Sequence, residues 1–388
     1  MSQPFGVYVH IPFCAHRCGY CDFATWTDRQ HLVDDYVEAC VRDLEGRAPF
    51  ERAASSVFFG GGTPSLIPAA QLARILAAIE RTGDAEVTVE CNPDSVDREK
   101  LDGYAAAGVT RISLGAQSFA PHVLRVLDRT HEPANVARAI TLARAAGIER
   151  MNVDLIYGTP GETLPDWERT VRAVLDLDVG HVSAYALTVE SGTPLGRAVA
   201  AGDVRPPDDD DQADKYAVAD ELLGLHGMEW YEISNWSRAG EECRHNLLYW
   251  TMGEYVGIGC AAHGHTRGTR WWNARTPERY IEAIGSARSP EVGRETLDPG
   301  GRREEAFTLA LRTRAGAGVS ARARALVDQL AHDGLLRAVG VSCGGEASGD
   351  RIALTRSGRL LASDVTAQLL LAGAVADEEG TPIGTRYH

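Results

Sequence analysis

The sequence predicts an α/β protein: an open or partial (β/α)6 barrel of TIM-like type, followed by a smaller, mainly α C-terminal domain of winged-helix-like outline. Three observations carry this. Six short runs rich in Val, Ile and aromatic residues alternate with amphipathic stretches, the pattern of parallel strands joined by helical crossovers. The strand runs lack in-out alternation, as strands buried on both faces do. The six units occupy only the first half of the chain, whereas a closed eight-stranded barrel takes about 250 residues.

In chain order the strands fall at 6–11, 56–60, 86–91, 111–117, 150–158 and 181–189. Helical periodicity falls between them at 30–46, 68–81, 96–107, 133–146 and 163–176. Gly108 and Gly147 follow Ala-rich turns and read as helix stops. Residues 1–200 thus form the barrel. The stretch 201–300 reads as a connecting segment, opening on the Pro- and Asp-rich 203–216, where Asp208–Asp211 suit a solvated helix N-terminus. It then becomes rich in aromatics and histidine (230–275). Residues 301–372 hold two helical stretches and a short β segment; 10 Arg against 7 Asp and Glu over 302–372 is too weakly basic for a DNA-binding role, so this domain is expected to pack on the barrel or cover a site. Residues 373–388 read as a flexible tail.

The formal net charge of −15 over 388 residues argues against broad nucleic-acid binding. No apolar run reaches the ~18 residues of a membrane span, and the N-terminus lacks the basic and apolar regions of a signal peptide. These features predict a cytoplasmic protein without a transmembrane anchor. In the cytoplasm the eight cysteines stay reduced, so a cysteine cluster reads as a metal site rather than a disulfide framework.

Such a cluster follows the first strand. In HIPFCAHRCGYCDF (10–23), Cys14, Cys18 and Cys21 are spaced C-x3-C-x2-C. Structural zinc takes four ligands, often in two pairs, and no second C-x2-C exists here. Iron–sulfur cubanes take cysteine thiolates, and three close cysteines hold three irons and leave the fourth open. Ala15 and Gly19 let the loop wrap closely, Arg17 can offset thiolate charge, and Tyr8 and Phe13 can shield the cluster. Chance burial of three cysteines and a zinc site are the competing readings. The other unusual residues also sit at strand ends: GGGTPS (60–65), Glu90 and Asn92, Gln117, and Asp154 near YGTPGET. The carboxyl ends of the strands form the functional face of βα folds, so five motifs converge on one site.

The cysteine spacing after a first barrel strand resembles the radical S-adenosylmethionine (SAM) superfamily. That resemblance implies a [4Fe–4S] cluster whose open iron takes SAM, and an electron that splits SAM to methionine and a 5′-deoxyadenosyl radical. GGGTPS then resembles the segment that binds the SAM amino group. YVHIPFC, GGGTPS, ECNPDS, RISLGAQSF, LDRTH, NVDLIYGTPGET and HNLLYW together resemble the HemN/HemW group over nearly the whole chain. Its two branches are an oxygen-independent coproporphyrinogen III dehydrogenase and a haem chaperone. By motif, Tyr8, Gly61, Gly62, Thr63, Glu90, Gln117, Arg129 and Asp154 are the implied SAM-binding residues. Their chemistry suits the role: carboxylates for ribose or adenine, a guanidinium fork for a carboxylate, an aromatic face.

Two departures point to the chaperone branch. The dehydrogenase pattern has a further cysteine where this chain has Phe23. HNLLYW (245–250) matches the H-N-x-x-Y-W motif of the chaperones. On residue type alone, His245 is a buried, hydrogen-bonded histidine; the resemblance makes it a haem-ligand candidate, with Tyr249 and Trp250 packing the porphyrin and His263 and His265 in reserve. The resemblance implies haem as cargo, recipient haemoproteins as partners, an electron donor if SAM is cleaved, and membrane association only through partners. The dehydrogenase reaction, radical oxidative decarboxylation of coproporphyrinogen III, stands as the alternative.

Overall fold

A computed structural model of the chain describes residues 4–47, 52–339 and 351–375. The first half alternates as its sequence predicts: β1 Phe5–Ile11, α1 Val33–Arg47, β2 Ala54–Gly61, α2 Ala69–Ala77, β3 Arg81–Cys91, α3 Arg98–Ala107, β4 Arg111–Gln117, α4 Pro121–Val126, α5 Pro133–Ala145, β5 Arg150–Tyr157, α6 Leu164–Leu175 and β6 His181–Ala186. Local chemistry sets the boundaries. Asp97 caps α3 by accepting from the Lys100 amide, and Gly108 ends it at φ 94°. Thr163 and Asp166 close a capping box at the start of α6. One helix is shorter than expected: α2 stops at Ala77 rather than near 81, because Arg81 starts β3 and its guanidinium caps the Leu76 carbonyl at 2.7 Å.

The segment after β6 adds α7 Pro194–Ala201, α8 Asp209–Leu225, β7 Glu229–Glu232, β8 Asn235–Ser237, α9 Arg244–Trp250, β9 Glu254–Ile258, β10 His263–Thr266, β11 Thr269–Asn273, α10 Pro277–Gly285 and β12 Glu291–Thr296. Its strands join the same sheet, in the order β12-β11-β10-β9-β1-β2-β3-β4-β5-β6-β8-β7. β9 lies parallel to β1, Phe5 opposite Glu254, so seven neighbouring strands are parallel from β9 through β6, and antiparallel strands flank them on both sides. Val7, Val9 and Ile11 of β1 and Val57 and Phe59 of β2 are fully buried in the core between sheet and helices.

The helical C-terminal portion comprises α11 Pro299–Leu311, β13 Ala317–Gly318, α12 Arg324–His332, β14 Leu336–Val339, β15 Arg351–Leu354, α13 Arg356–Leu360 and α14 Ala362–Leu371. A small three-stranded sheet, β13-β15-β14, packs with these helices around Leu311, Leu330, Leu354 and Leu369. Arg359 ties it to the body of the protein: its guanidinium makes two hydrogen bonds to Asp220 and lies over Trp230. Cys343 and most of the tail read at 373–388 lie outside the described residues. Among the described residues, no helix is long and apolar enough to cross a membrane.

Candidate functional site: a cavity at the carboxyl ends of the parallel strands

A cavity of about 690 Å³ opens where β1 to β6 end. Cys14, Cys18, Cys21, Gly61, Gly62, Thr63, Glu90, Gln117, Arg129 and Asp154 all line it. Four strands and two loops that are far apart in sequence therefore deliver their motif residues to one space.

The cysteine loop is held from both sides. The Cys14 amide donates to the Trp26 carbonyl at 3.0 Å, and the Cys21 amide to the Cys18 carbonyl at 3.1 Å. Arg17 reaches the Cys21 carbonyl at 3.3 Å. Thr63 Oγ1 donates to Cys14 Sγ and Arg129 Nη1 to Cys18 Sγ, both at 3.6 Å. All three thiols are free, and burial pushes those of Cys14 and Cys21 up from the ordinary thiol range. Among the described residues no three His, Cys, Asp or Glu converge as ligands of a single ion. Thiolates that each bind a different iron of a cubane need no such convergence. A loop presenting three free thiols to one cavity, with two hydrogen-bond donors and a guanidinium to offset anionic sulfur, fits the cluster that the sequence implies.

GGGTPS is shaped by close approach. A Cβ on Gly61, which sits at φ 111°, would lie 2.4 Å from the His10 ring; one on Gly62 would lie 2.8 Å from the Phe13 carbonyl. Larger residues cannot stand there, and the backbone is left open to a ligand. The Gly61 amide donates to Glu90 Oε2 at 3.1 Å. Burial, reinforced by the Asp154 charge, raises the Glu90 carboxyl to about 8, so it holds its proton at neutral pH and can donate as well as accept. Burial also raises Asp154, while Ser113 and Asn152 donate to it at 2.7 Å and draw it back down. Gln117 ends β4 at φ 63°, a left-handed conformation unusual for a side chain other than glycine. Arg129 Nη2 donates to the Gly115 carbonyl at 2.5 Å and thereby holds the guanidinium beside the thiols.

Tyr8 is placed differently from the other implied SAM residues. It is not part of the cavity wall but stands beneath it, donating its hydroxyl to His10 Nδ1 at 3.0 Å. His10 Nε2 in turn donates to the Ala24 carbonyl at 3.0 Å, so Tyr8 braces the cysteine loop through His10. Tyr20, Ser113 and Tyr185 also line the cavity and escaped sequence reasoning. For Ser113 a signal existed: a small polar residue inside an otherwise apolar buried strand. Phe23, 60% exposed, stands at the mouth of the cavity.

The structure does not bring His245 to this cavity. It lies at the opposite, amino end of the strands, fully buried on α9. Ser56 Oγ holds its Nδ1 at 2.9 Å and the Tyr249 hydroxyl holds its Nε2 at 3.0 Å; Phe58 stacks on the ring. Burial lowers its pKa to about 3. The His245 amide and the Cys243 thiol both point to Glu86, a buried carboxylate paired with Arg150 at 3.2 Å. HNLLYW thus plugs the barrel floor. To bind iron, His245 would have to break one of its two hydrogen bonds. His263 is stacked on Trp272, and partial desolvation of its ring and the Arg270 charge lower its pKa. His265 lies next to a second cavity at the floor.

Fold and site together define a radical SAM protein, and the model of the Radical SAM superfamily matches residues 8–174. The structure is also similar to that of Coproporphyrinogen III oxidase (HemN) from Escherichia coli, with a TM-score of 0.80 and 22% identity, covering 94% of this chain and 89% of that one, which shows the shared fold. In sequence the chain is 45% identical to the Heme chaperone HemW of Mycobacterium tuberculosis over 381 residues, 95% of each chain. It is 35% identical to the Heme chaperone HemW of Bacillus subtilis over 80% of this chain and 83% of the relative. The chain belongs to the HemW family.

Proposed function

We propose that this protein is a haem chaperone: it carries a [4Fe–4S] cluster and SAM in the large cavity, binds haem, and delivers it to recipient haemoproteins in the cytoplasm. The observation that carries this reading is similarity to heme chaperones along nearly the full chain, and Phe23 in place of the dehydrogenase cysteine agrees with it. Cys14, Cys18 and Cys21 would hold the cluster. Gly61, Gly62 and Thr63 would bind the SAM amino group, Glu90 and Asp154 its ribose or adenine. Gln117 would add a side-chain amide, and Arg129 would hold the carboxylate while offsetting thiolate charge. When bound, such a cluster would supply an electron to SAM, drawn from a separate donor, and in a chaperone that chemistry would regulate or drive transfer of the cargo. Haem would bind close to the HNLLYW helix, with His245 pinning that helix in place.

The test is anaerobic. Cluster-loaded protein is charged with haem and mixed with an apo-haemoprotein, while a parallel sample receives coproporphyrinogen III, SAM and a reductant. Haem transfer without CO2 release is the expected result. Decarboxylation of the porphyrinogen would overturn the proposal in favour of the dehydrogenase.

A further inference from the structure

The interior of the barrel carries a file of polar groups that starts at the large cavity and ends at the HNLLYW helix. Asp154, on the cavity wall, accepts from Ser113 Oγ through Oδ2 and from Asn152 Nδ2 through Oδ1, both at 2.7 Å. Asn152 Nδ2 places its other hydrogen on Ser113 Oγ, also at 2.7 Å, so Ser113 accepts from Asn152 and turns its own proton to Asp154. The Asn152 side-chain oxygen lies 2.5 Å from His181 Nδ1, and His181 Nε2 lies 2.8 Å from the Tyr231 hydroxyl. Asn152, His181 and Tyr231 are all buried.

Hydrogen-bond chemistry sets the direction of every link. An amide oxygen only accepts, so His181 Nδ1 carries the proton. Burial, with the Arg111 and Arg150 charges, pushes the His181 pKa well below its ordinary value, so the ring is neutral and Nε2 is an acceptor. The Tyr231 hydroxyl therefore donates to it. Burial raises the Tyr231 phenol, and a hydrogen bond from the Asn246 side chain works against that rise, which makes the Asn246 amide a donor to the phenol oxygen. From Asn246 through Tyr231, His181 and Asn152, each donor points toward Asp154. None of these four residues lines the cavity. The links depend on one another: an Asn152 amide turned over would aim its oxygen at a carboxylate.

On the reading that the large cavity binds SAM, we infer that Asn152, His181, Tyr231 and Asn246 are positioning residues, which hold the Asp154 carboxylate as a pure acceptor toward the N–H or O–H donors of SAM. Glu90, which keeps its proton, is the complementary donor, so two carboxyls in one cavity take different roles. HNLLYW thereby has a part in the upper site: its asparagine ends the file that orients Asp154. Around Asp154 also stand Glu90 on β3, Arg111 on β4 and Tyr185 on β6, none of which the test alters.

SAM binding to the full-length, cluster-loaded protein is measured by anaerobic equilibrium dialysis with radiolabelled SAM, without reductant, from pH 6 to 9. Asn152→Ala removes the last donor but opens a buried hole, so the deciding variant lies at the far end. Asn246→Asp is nearly isosteric at a partly exposed position and puts an acceptor where the amide donated. The Tyr231 hydroxyl then donates to the new carboxylate, each link reverses, and the Asn152 oxygen faces Asp154, which takes up a proton to meet it. SAM affinity at neutral pH should fall roughly tenfold and recover as pH rises, the acid limb of binding moving up by about one pH unit. Asn246→Ala, which removes the donor without imposing an acceptor, should keep the wild-type pH dependence. Wild-type affinity and pH profile in Asn246→Asp would overturn the inference. Equal weakening of the two Asn246 variants at every pH would overturn it as well, because lost packing alone produces that result. No SAM binding by the wild type would remove the SAM reading itself, and the inference with it.

Discussion

The two ends of the parallel sheet are built on opposite plans. At the carboxyl ends, short contiguous motifs supply the groups: three thiols within eight residues, three consecutive glycines, and polar side chains that close individual strands. These groups face an open cavity, and burial raises the Cys14 thiol and the Glu90 carboxyl above their ordinary ranges. At the amino ends the barrel is plugged. Glu86 is buried against Arg150, Cys243 and the start of α9, while His245 is locked between Ser56 and Tyr249. Beside the plug, a smaller cavity draws its walls from Pro4, 248–254, 265–268, Arg302 and Ala306. The difference teaches that a motif can mark either a reacting surface or the part that keeps a neighbouring surface in shape. Residue type alone does not distinguish them; the number of free donor atoms does.

The largest expected effect probes the upper end. Replacing Cys14, Cys18 or Cys21 by Ala should abolish the iron–sulfur absorbance and the bound iron, because a cubane held by three thiolates does not persist on two. Iron content equal to the wild type in any one variant would contradict the ligand assignment. At the lower end, His245→Ala should act on stability. Ser56 and Tyr249 lose a partner and a cavity opens in the floor, together about 3 kcal/mol against thermal or chemical unfolding. If this variant melts like the wild type but changes the iron spin state of bound haem, His245 is a ligand and the contrast between the two ends collapses.

The upper site was legible because its residues carry their meaning in sequence order. Cys14, Cys18 and Cys21 are neighbours, and Gly61, Glu90 and Gln117 lie at the ends of strands whose apolar pattern announces them, whereas Arg129, in the loop after α4, was marked only by the family resemblance. The parallel order of β1 to β6 followed from the same alternation. β9 was not legible: EYVGI is five residues long, has no crossover helix after it, and its parallel partner β1 is about 250 residues away in sequence. The floor cavity was still less visible, since its walls come from four separated segments. For His245 the sequence offered both a ligand and a pinned side chain; the choice depends on Ser56, which only the folded β2 brings to the ring.

The smallest effect is one of slope, and it separates the two ends by pH. Glu90 holds its proton up to about 8 in the fold, against an ordinary value of 4.5. A proton bound more tightly in the folded state makes stability full below about pH 4.5 and progressively lost as pH rises through 8. Glu162, raised to about 7 by burial, acts in the same direction. His245 behaves oppositely. Its folded value near 3 lies below the ordinary 6.5, so its stabilising share is present above 6.5 and lost as pH falls toward 3. His10, lowered to about 4, adds to that acid limb. Thermal midpoints of the cluster-free protein from pH 4.5 to 9 should therefore show two limbs. Glu90→Gln should flatten the alkaline limb and spare the acid one, because the amide mimics the protonated carboxyl. Equal slopes in Glu90→Gln and the wild type above pH 6.5 would mean that Glu90 is already ionised in the fold. It would then meet a ligand in the upper cavity only as an acceptor.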